Sequence, residues 1–136
     1  MLNLEGKIVF ITGASSGIGE ACAKEFAKQK ANLILAARRK DRLLKLADEL
    51  EKQYQIKVKC LEVDVKNFGD VQNKFNSLES KWKQVDILLN NAGLAKGLNK
   101  VYEGSLSDWD EMIDTNLKGL LNVTRVVSPQ MVDKQS

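Results

Sequence analysis

In the stretch Ile8-Val9-Phe10-Ile11-Thr12-Gly13-Ala14-Ser15-Ser16-Gly17-Ile18-Gly19-Glu20, three glycines separate a short apolar run from a segment with helical spacing. A strand that enters such a turn and leaves it as a helix is a place to put phosphate. Backbone N–H groups at the helix start are unpaired, and the helix dipole is positive there. Gly13 lets the chain turn, Gly17 lets backbone approach a ligand, and Gly19 lets helix and strand pack closely. The order is G-x-x-x-G-x-G rather than the common dinucleotide pattern G-x-G-x-x-G, so the motif alone also fits a plain loop. A P-loop would need Gly-Lys-Ser/Thr, and Gly19-Glu20-Ala21 is not that. Gly13-Ala14-Ser15-Ser16-Gly17 does fit a serine nucleophile elbow. That elbow needs a histidine base, and the chain has no histidine.

Further along stand three other groups with chemical capacity. Arg38 follows Gly19 by nineteen residues, with Arg39 and Lys40 after it. In dinucleotide folds an acid near this place binds the ribose hydroxyls of NAD. An arginine there attracts a 2′-phosphate instead. A charge-assisted hydrogen bond is worth roughly 1.5–3 kcal/mol, so one good contact favours NADP over NAD by roughly 10- to 150-fold. Taken alone, Arg38 and Arg39 fit solvated surface charges equally well; in the context of the glycine turn they indicate NADP. Asp64-Val65 fits an acceptor for an adenine amino group beside an apolar ring contact, and equally an ordinary turn. Asn90-Asn91-Ala92-Gly93 completes the set.

These residues need elements to bring them together. Apolar periodicity predicts strands at Lys7–Ile11, Asn32–Ala37, Lys57–Val63 and Val85–Leu89. It predicts helices at Gly17–Lys30, Asp41–Lys52, Phe68–Trp82 and from a Ser107 cap to Val127. In the first helix Ile18, Ala21, Cys22 and Phe26 share a face. In the second, Leu43, Leu44, Ala47 and Leu50 point inward with Asp41 as N-cap, and in the third Val71, Phe75, Leu78 and Trp82 do so. Pro129 should weaken or stop the last helix. Asn116 sits among Trp109, Met112, Ile113, Leu117, Leu120, Val123, Thr124 and Val127 and is expected to be buried, where an amide must find partners. The stretch Leu94–Leu106 reads as a substrate-side loop or a plain connection.

Strand and helix alternate throughout. That predicts an α/β, Rossmann-type doubly wound parallel sheet, strand order 3-2-1-4, with helices on both faces. Every predicted strand carries a special residue at its C-terminal end, where ligands bind in open α/β sheets.

The 136 residues suffice for one domain with a core. Net charge is +3 with acids and bases interspersed, and no basic stripe interleaved with aromatics points to nucleic acid. Cys22 and Cys60, with no histidine, make no zinc site and fit buried, reduced thiols of a cytoplasmic protein. Apolar runs reach only about five residues, far short of a membrane span.

Taken together, Thr12-Gly13-Ala14-Ser15-Ser16-Gly17-Ile18-Gly19, Asp64, Asn90-Asn91-Ala92-Gly93 and Asn116 resemble the short-chain dehydrogenases/reductases in order and separation, over nearly the whole chain. The resemblance implies NAD(P)(H) binding and hydride transfer to or from an alcohol or carbonyl substrate. It implies Ser15, Ser16 and Ile18 at the phosphates, Arg38 and Arg39 at the 2′-phosphate, and Asp64 and Val65 at adenine. It implies Asn91, Ala92 and Gly93 beside the nicotinamide ribose, and Asn116 holding a water in a proton relay. The run Asp108–Leu120 is similar to a narrower branch, NADP-dependent 3-hydroxy acid (serine or allo-threonine type) dehydrogenases. The family also suggests a homo-oligomer formed through the last helix.

The sequence departs from the family in one respect. The proton donor there is a Tyr in Tyr-x-x-x-Lys, assisted by a Ser, but Val58 follows Tyr54 by four and Leu106 follows Tyr102 by four. The expectation is a single NAD(P)-binding domain, incomplete at its C-terminal end, with a raw edge on the fourth strand and no catalysis by itself. A non-catalytic nucleotide-binding module is the competing expectation.

Overall fold

The computed structural model describes residues 3–15, 17–92, 106–107, 110 and 114–135. Expectations for Ser16, Gly93, Trp109, Met112, Ile113 and nearly all of the Leu94–Leu106 stretch lie outside these residues.

Four parallel strands, β1 (Ile8–Thr12), β2 (Asn32–Ala37), β3 (Val58–Glu62) and β4 (Ile87–Leu89), form one sheet in the order β3-β2-β1-β4. This is the order expected from strand–helix alternation. The central strands β1 and β2 are buried almost throughout, which matches their continuous apolar runs. β3, at one edge, alternates between inward and exposed residues.

Alternation along the strands sorts the core into two layers. On one face Val9, Ile11, Leu33 and Leu35 meet Ala23 and Ala27 of α1 (Gly17–Lys28) and Leu43, Leu46 and Leu50 of α2 (Lys40–Tyr54). On the other face Phe10, Ile34, Ala36 and Leu61 meet Val71 and Phe75 of α3 (Phe68–Asn76) and Val123 and Val127 of α4 (Gly119–Gln135). Phe10 and Phe75 rings lie 6.0 Å apart at 47°.

Several helical expectations are corrected. The inward face of α1 is Gly19, Ala23 and Ala27; Ile18 is 73% exposed, Ala21 is exposed, and Cys22 and Phe26 are only half-buried. Small residues let the helix sit close to the strands, so the larger apolar residues are rotated away. In α2, Leu46 is buried and Leu44 is exposed. Arg39 rather than Asp41 is the N-cap, and Asp41 lies in the first turn, where a carboxylate favours the dipole.

The third helix ends at Asn76, and Trp82 is delivered by a separate 3₁₀ turn, Ser80–Lys83. The Ser77 hydroxyl donates to the Lys74 carbonyl at 2.6 Å, a local bond that competes with continuing the helix. Its start is capped as polar chemistry dictates, with the Asn67 side chain accepting from Asp70 N at 3.0 Å.

Helix α4 runs through Pro129 to Gln135. Proline removes one donor, so the Arg125 carbonyl loses its partner four residues on. Both residues are exposed, where water serves that acceptor, and packing of the opposite face on α3 and the sheet holds the helix. Leu106 and Ser107 are both helical, so Ser107 is not an N-cap.

Candidate coenzyme site

Sequence folds the glycine turn in a specific way. Gly13 takes φ +62°, a left-handed conformation that favours glycine. A Cβ on it would lie 2.9 Å from the Ala92 backbone, and one on Gly19 would run onto the Gly13 carbonyl and within 2.7 Å of Asn91 Nδ2. The glycines thus let three segments meet: the end of β1, the start of α1 and the chain leaving β4.

Thr12 locks that meeting. Its hydroxyl, in a residue 1% exposed, accepts from Asn91 N at 2.8 Å and Ala92 N at 2.9 Å. The Asn91 amide donates in turn to the Gly13 carbonyl at 3.3 Å. Asn90 turns the other way and donates from Nδ2 to Thr124 Oγ1 on α4 at 3.1 Å.

The end of β3 is fixed as firmly. Asp64 N donates to Asp70 Oδ2 at 3.0 Å, and Lys66 N donates to Asp64 Oδ1 at 3.1 Å. Asp64 is therefore a turn carboxylate, which is the plainer of its two sequence readings.

These ends enclose a cavity of ≈330 Å³ at the C-terminal edge of the sheet. Gly13 and Ser15 line it, with Arg38, Arg39, Asp64, Val65, Asn91 and Ala92, which are the strand-end residues singled out by sequence. Two further cations line it that sequence reasoning did not single out, Arg42 and Lys66. No motif marks Arg42: it lies in the first turn of α2, whereas Arg38 precedes the helix, and only the fold brings both to one cavity. Arg38, Arg39 and Arg42 are exposed and make no ion pair among the described residues. Three guanidiniums converging without a carboxylate partner present a ready site for phosphate.

Other expected residues lie elsewhere. Gly17 and Ile18 are exposed at the start of α1, and Gly19 is buried beneath the turn; none lines this cavity. Asn116 is exposed, correcting the expectation of burial. Uniform helical spacing puts it in register with Val123 and Val127, seven and eleven residues on. Residues Asp114–Lys118 instead form a π-helical turn, whose wider repeat rotates Asn116 out of that register.

A larger cavity of ≈680 Å³ lies at the opposite edge of the sheet, around Lys30, Tyr54, Lys57, Lys81, Trp82 and Asp86. It contains none of the strand-end residues. Among the described residues no cluster of histidine, cysteine or acidic side chains fits a metal ion. No helix there is long and apolar enough to cross a membrane.

Comparison with known proteins agrees with this architecture. Residues 7–136 match the short chain dehydrogenase family, and the chain belongs to that family. The chain is 42% identical over 127 residues to the NADP-dependent 3-hydroxy acid dehydrogenase YdfG of Salmonella typhi, covering 93% of this chain and 50% of that protein. Among solved structures, it resembles the L-sorbose reductase of Gluconobacter frateurii complexed with NADPH and L-sorbose. The TM-score is 0.86 at 32% identity, over 97% of this chain and 50% of the other. It also resembles the serine dehydrogenase of Escherichia coli, with TM-score 0.81 at 41% identity over 93% and 57%. The chain spans about half the length of the curated relatives it matches.

Proposed function

We propose that this chain binds NADP(H) and serves an oxidoreductase that moves hydride between the nicotinamide and an alcohol or carbonyl substrate. The observation that carries this reading is the convergence of Arg38, Arg39 and Arg42 on the same cavity as Asp64 and the glycine turn. The residues present fit an adenine nucleotide bearing an extra phosphate. The arginines offer paired donors to the 2′-phosphate, Asp64 accepts from the adenine amino group, and Val65 supplies apolar contact beside it. Ser15, Ser16 and Ile18 serve the diphosphate, which the positive end of α1 favours, while Gly17 admits backbone approach and Gly19 lets helix and strand pack. Asn91, Ala92 and Gly93 flank the nicotinamide ribose, and Asn116 holds a water for proton transfer. When bound, the nicotinamide supplies or takes up the hydride.

Relatives named for 3-hydroxy acid and serine dehydrogenation support a 3-hydroxy acid as the substrate. NADP-dependent oxidation of serine by the full-length gene product, followed by NADPH absorbance, checks this. Turnover of simple secondary alcohols but of no 3-hydroxy acid would contradict it. The exposed apolar residues of α4 support homo-oligomer formation, and the two free cysteines support a cytoplasmic location.

The coenzyme preference has its own test. Replacing both Arg38→Ala and Arg39→Ala should weaken NADPH binding by roughly 10- to 150-fold, the loss of at least one charge-assisted contact. NADH binding should change little. Equal losses for the two coenzymes would refute the assignment.

A further inference from the structure

Helix α4 touches the coenzyme cavity only indirectly, through a latch. Asn122, half-buried in its second turn, donates from Nδ2 to the Val65 carbonyl at 2.9 Å and to the Lys66 carbonyl at 3.1 Å. One turn earlier the buried Gly119 approaches the same segment. A Cβ there would lie 2.6 Å from Val65 Cγ2. Val65 and Lys66 are cavity-lining residues, whereas Asn122 and Gly119 are not.

We propose that Asn122 is a positioning residue that sets the adenine-side wall of the cavity by holding the Val65–Lys66 backbone, with Gly119 providing the clearance. The inference rests on the NADP reading above. Val65 is 7% exposed and is clamped from behind by the helix, so its side chain has one place to stand. The Val65–Lys66 segment is tied on one side by Lys66 N donating to Asp64 Oδ1 and on the other by the Val65 and Lys66 carbonyls accepting from Asn122 Nδ2. Release of the second tie loosens Val65 and Lys66 while Asp64 stays held through Asp70, and a loosened wall must be reordered each time a nucleotide binds. The arginines stand on a different element and do not share this latch. Adenine is common to both coenzymes, so the latch acts on NADP and NAD alike.

The test is a calorimetric titration of the full-length gene product and its Asn122→Ala variant with NADPH, NADH and 2′,5′-ADP, well below the unfolding midpoint. Asn122→Ala should lose roughly tenfold in affinity for all three, the scale of one or two hydrogen bonds. The NADPH/NADH ratio should be unchanged. Asn122→Gln, which keeps both donors, should recover part of the loss. A merely structural role lowers the midpoint of unfolding and leaves the dissociation constants alone, and that result would overturn the inference. A loss confined to NADPH would overturn it as well. Should Asn122→Ala not fold, Gly119→Ala carries the same test, because it presses on Val65 from the same side; wild-type affinity in that variant is a contrary result. Failure of the parent reading is distinct: there the unmodified chain binds none of the three nucleotides.

Discussion

Thr12 shows how much one hydroxyl can organise. Its Oγ1 accepts two backbone N–H groups at the point where β1, the glycine turn and the chain after β4 converge. Thr12→Val keeps the shape and strands both donors. Each unsatisfied donor costs about 1–3 kcal/mol, so urea unfolding should show a loss of roughly 2–6 kcal/mol, while Thr12→Ser should restore most of it. Cys60 supplies a pH-dependent counterpart. Burial first, then the nearby Glu51 carboxylate, push its thiol from the ordinary 9.0 up to about 11, against a smaller opposing pull from Lys40. Because the folded value lies above the unfolded one, folding retains the proton. Its contribution to stability is fully present below about pH 9 and is lost as the pH climbs towards 11. Wild type should therefore lose more stability across that interval than Cys60→Ser, in urea melts at matched pH. At pH 8 native Cys60 should alkylate more slowly than in the unfolded chain, by roughly tenfold or more, because its thiolate is scarcer though more nucleophilic. Equal rates by peptide mass mapping would contradict the burial argument.

At the scale of elements, small residues decide where helices sit. Gly19→Ala drives a methyl group onto the Gly13 carbonyl and should cost about 1–3 kcal/mol in chemical unfolding, with the α1–β1 seam forced apart. This seam also explains what sequence could and could not reveal. The strands and the residues at their ends were legible because buried parallel strands are nearly uniform apolar runs and because their C-terminal ends face one edge. The facing of α1 was not legible: hydrophobic size pointed to Ile18 and Phe26, while close packing selected Gly19, Ala23 and Ala27. Asn116 was misplaced for a related reason. A period of 3.6 residues assumes an unbroken helix, and a π turn at Asp114–Lys118 is invisible to that count. Pro129 misled through propensity, which tertiary packing overrode. Arg42 and Asn122 were missed because neither belongs to a motif; only the folded chain brings them to the cavity or to the loop behind it.

The molecule as a whole is three layers with chemistry gathered at one edge. Its second face is closed by α3 and α4, and α4 leaves apolar surface outside that layer: Leu121 is 62% exposed and Val132 66%. Eleven residues separate them on one side of the helix, with Arg125 and Ser128 between. Exposed side chains of this size favour association, so the chain should sediment as an oligomer, and Leu121→Lys with Val132→Lys should shift it to monomer in analytical ultracentrifugation. A wild-type monomer at high micromolar concentration would contradict the proposal. The proposed coenzyme site makes a stricter demand on the same fold, because residues from all four strand ends line the one cavity that would hold the ligand. Calorimetric titration of the chain with NADPH and with NADH tests that demand most directly. Saturable heat with NADPH, and affinity for NADH weaker by roughly tenfold or more, is the expected result. Equal affinity for the two would contradict the arginine assignment, and no heat from either would contradict the site itself.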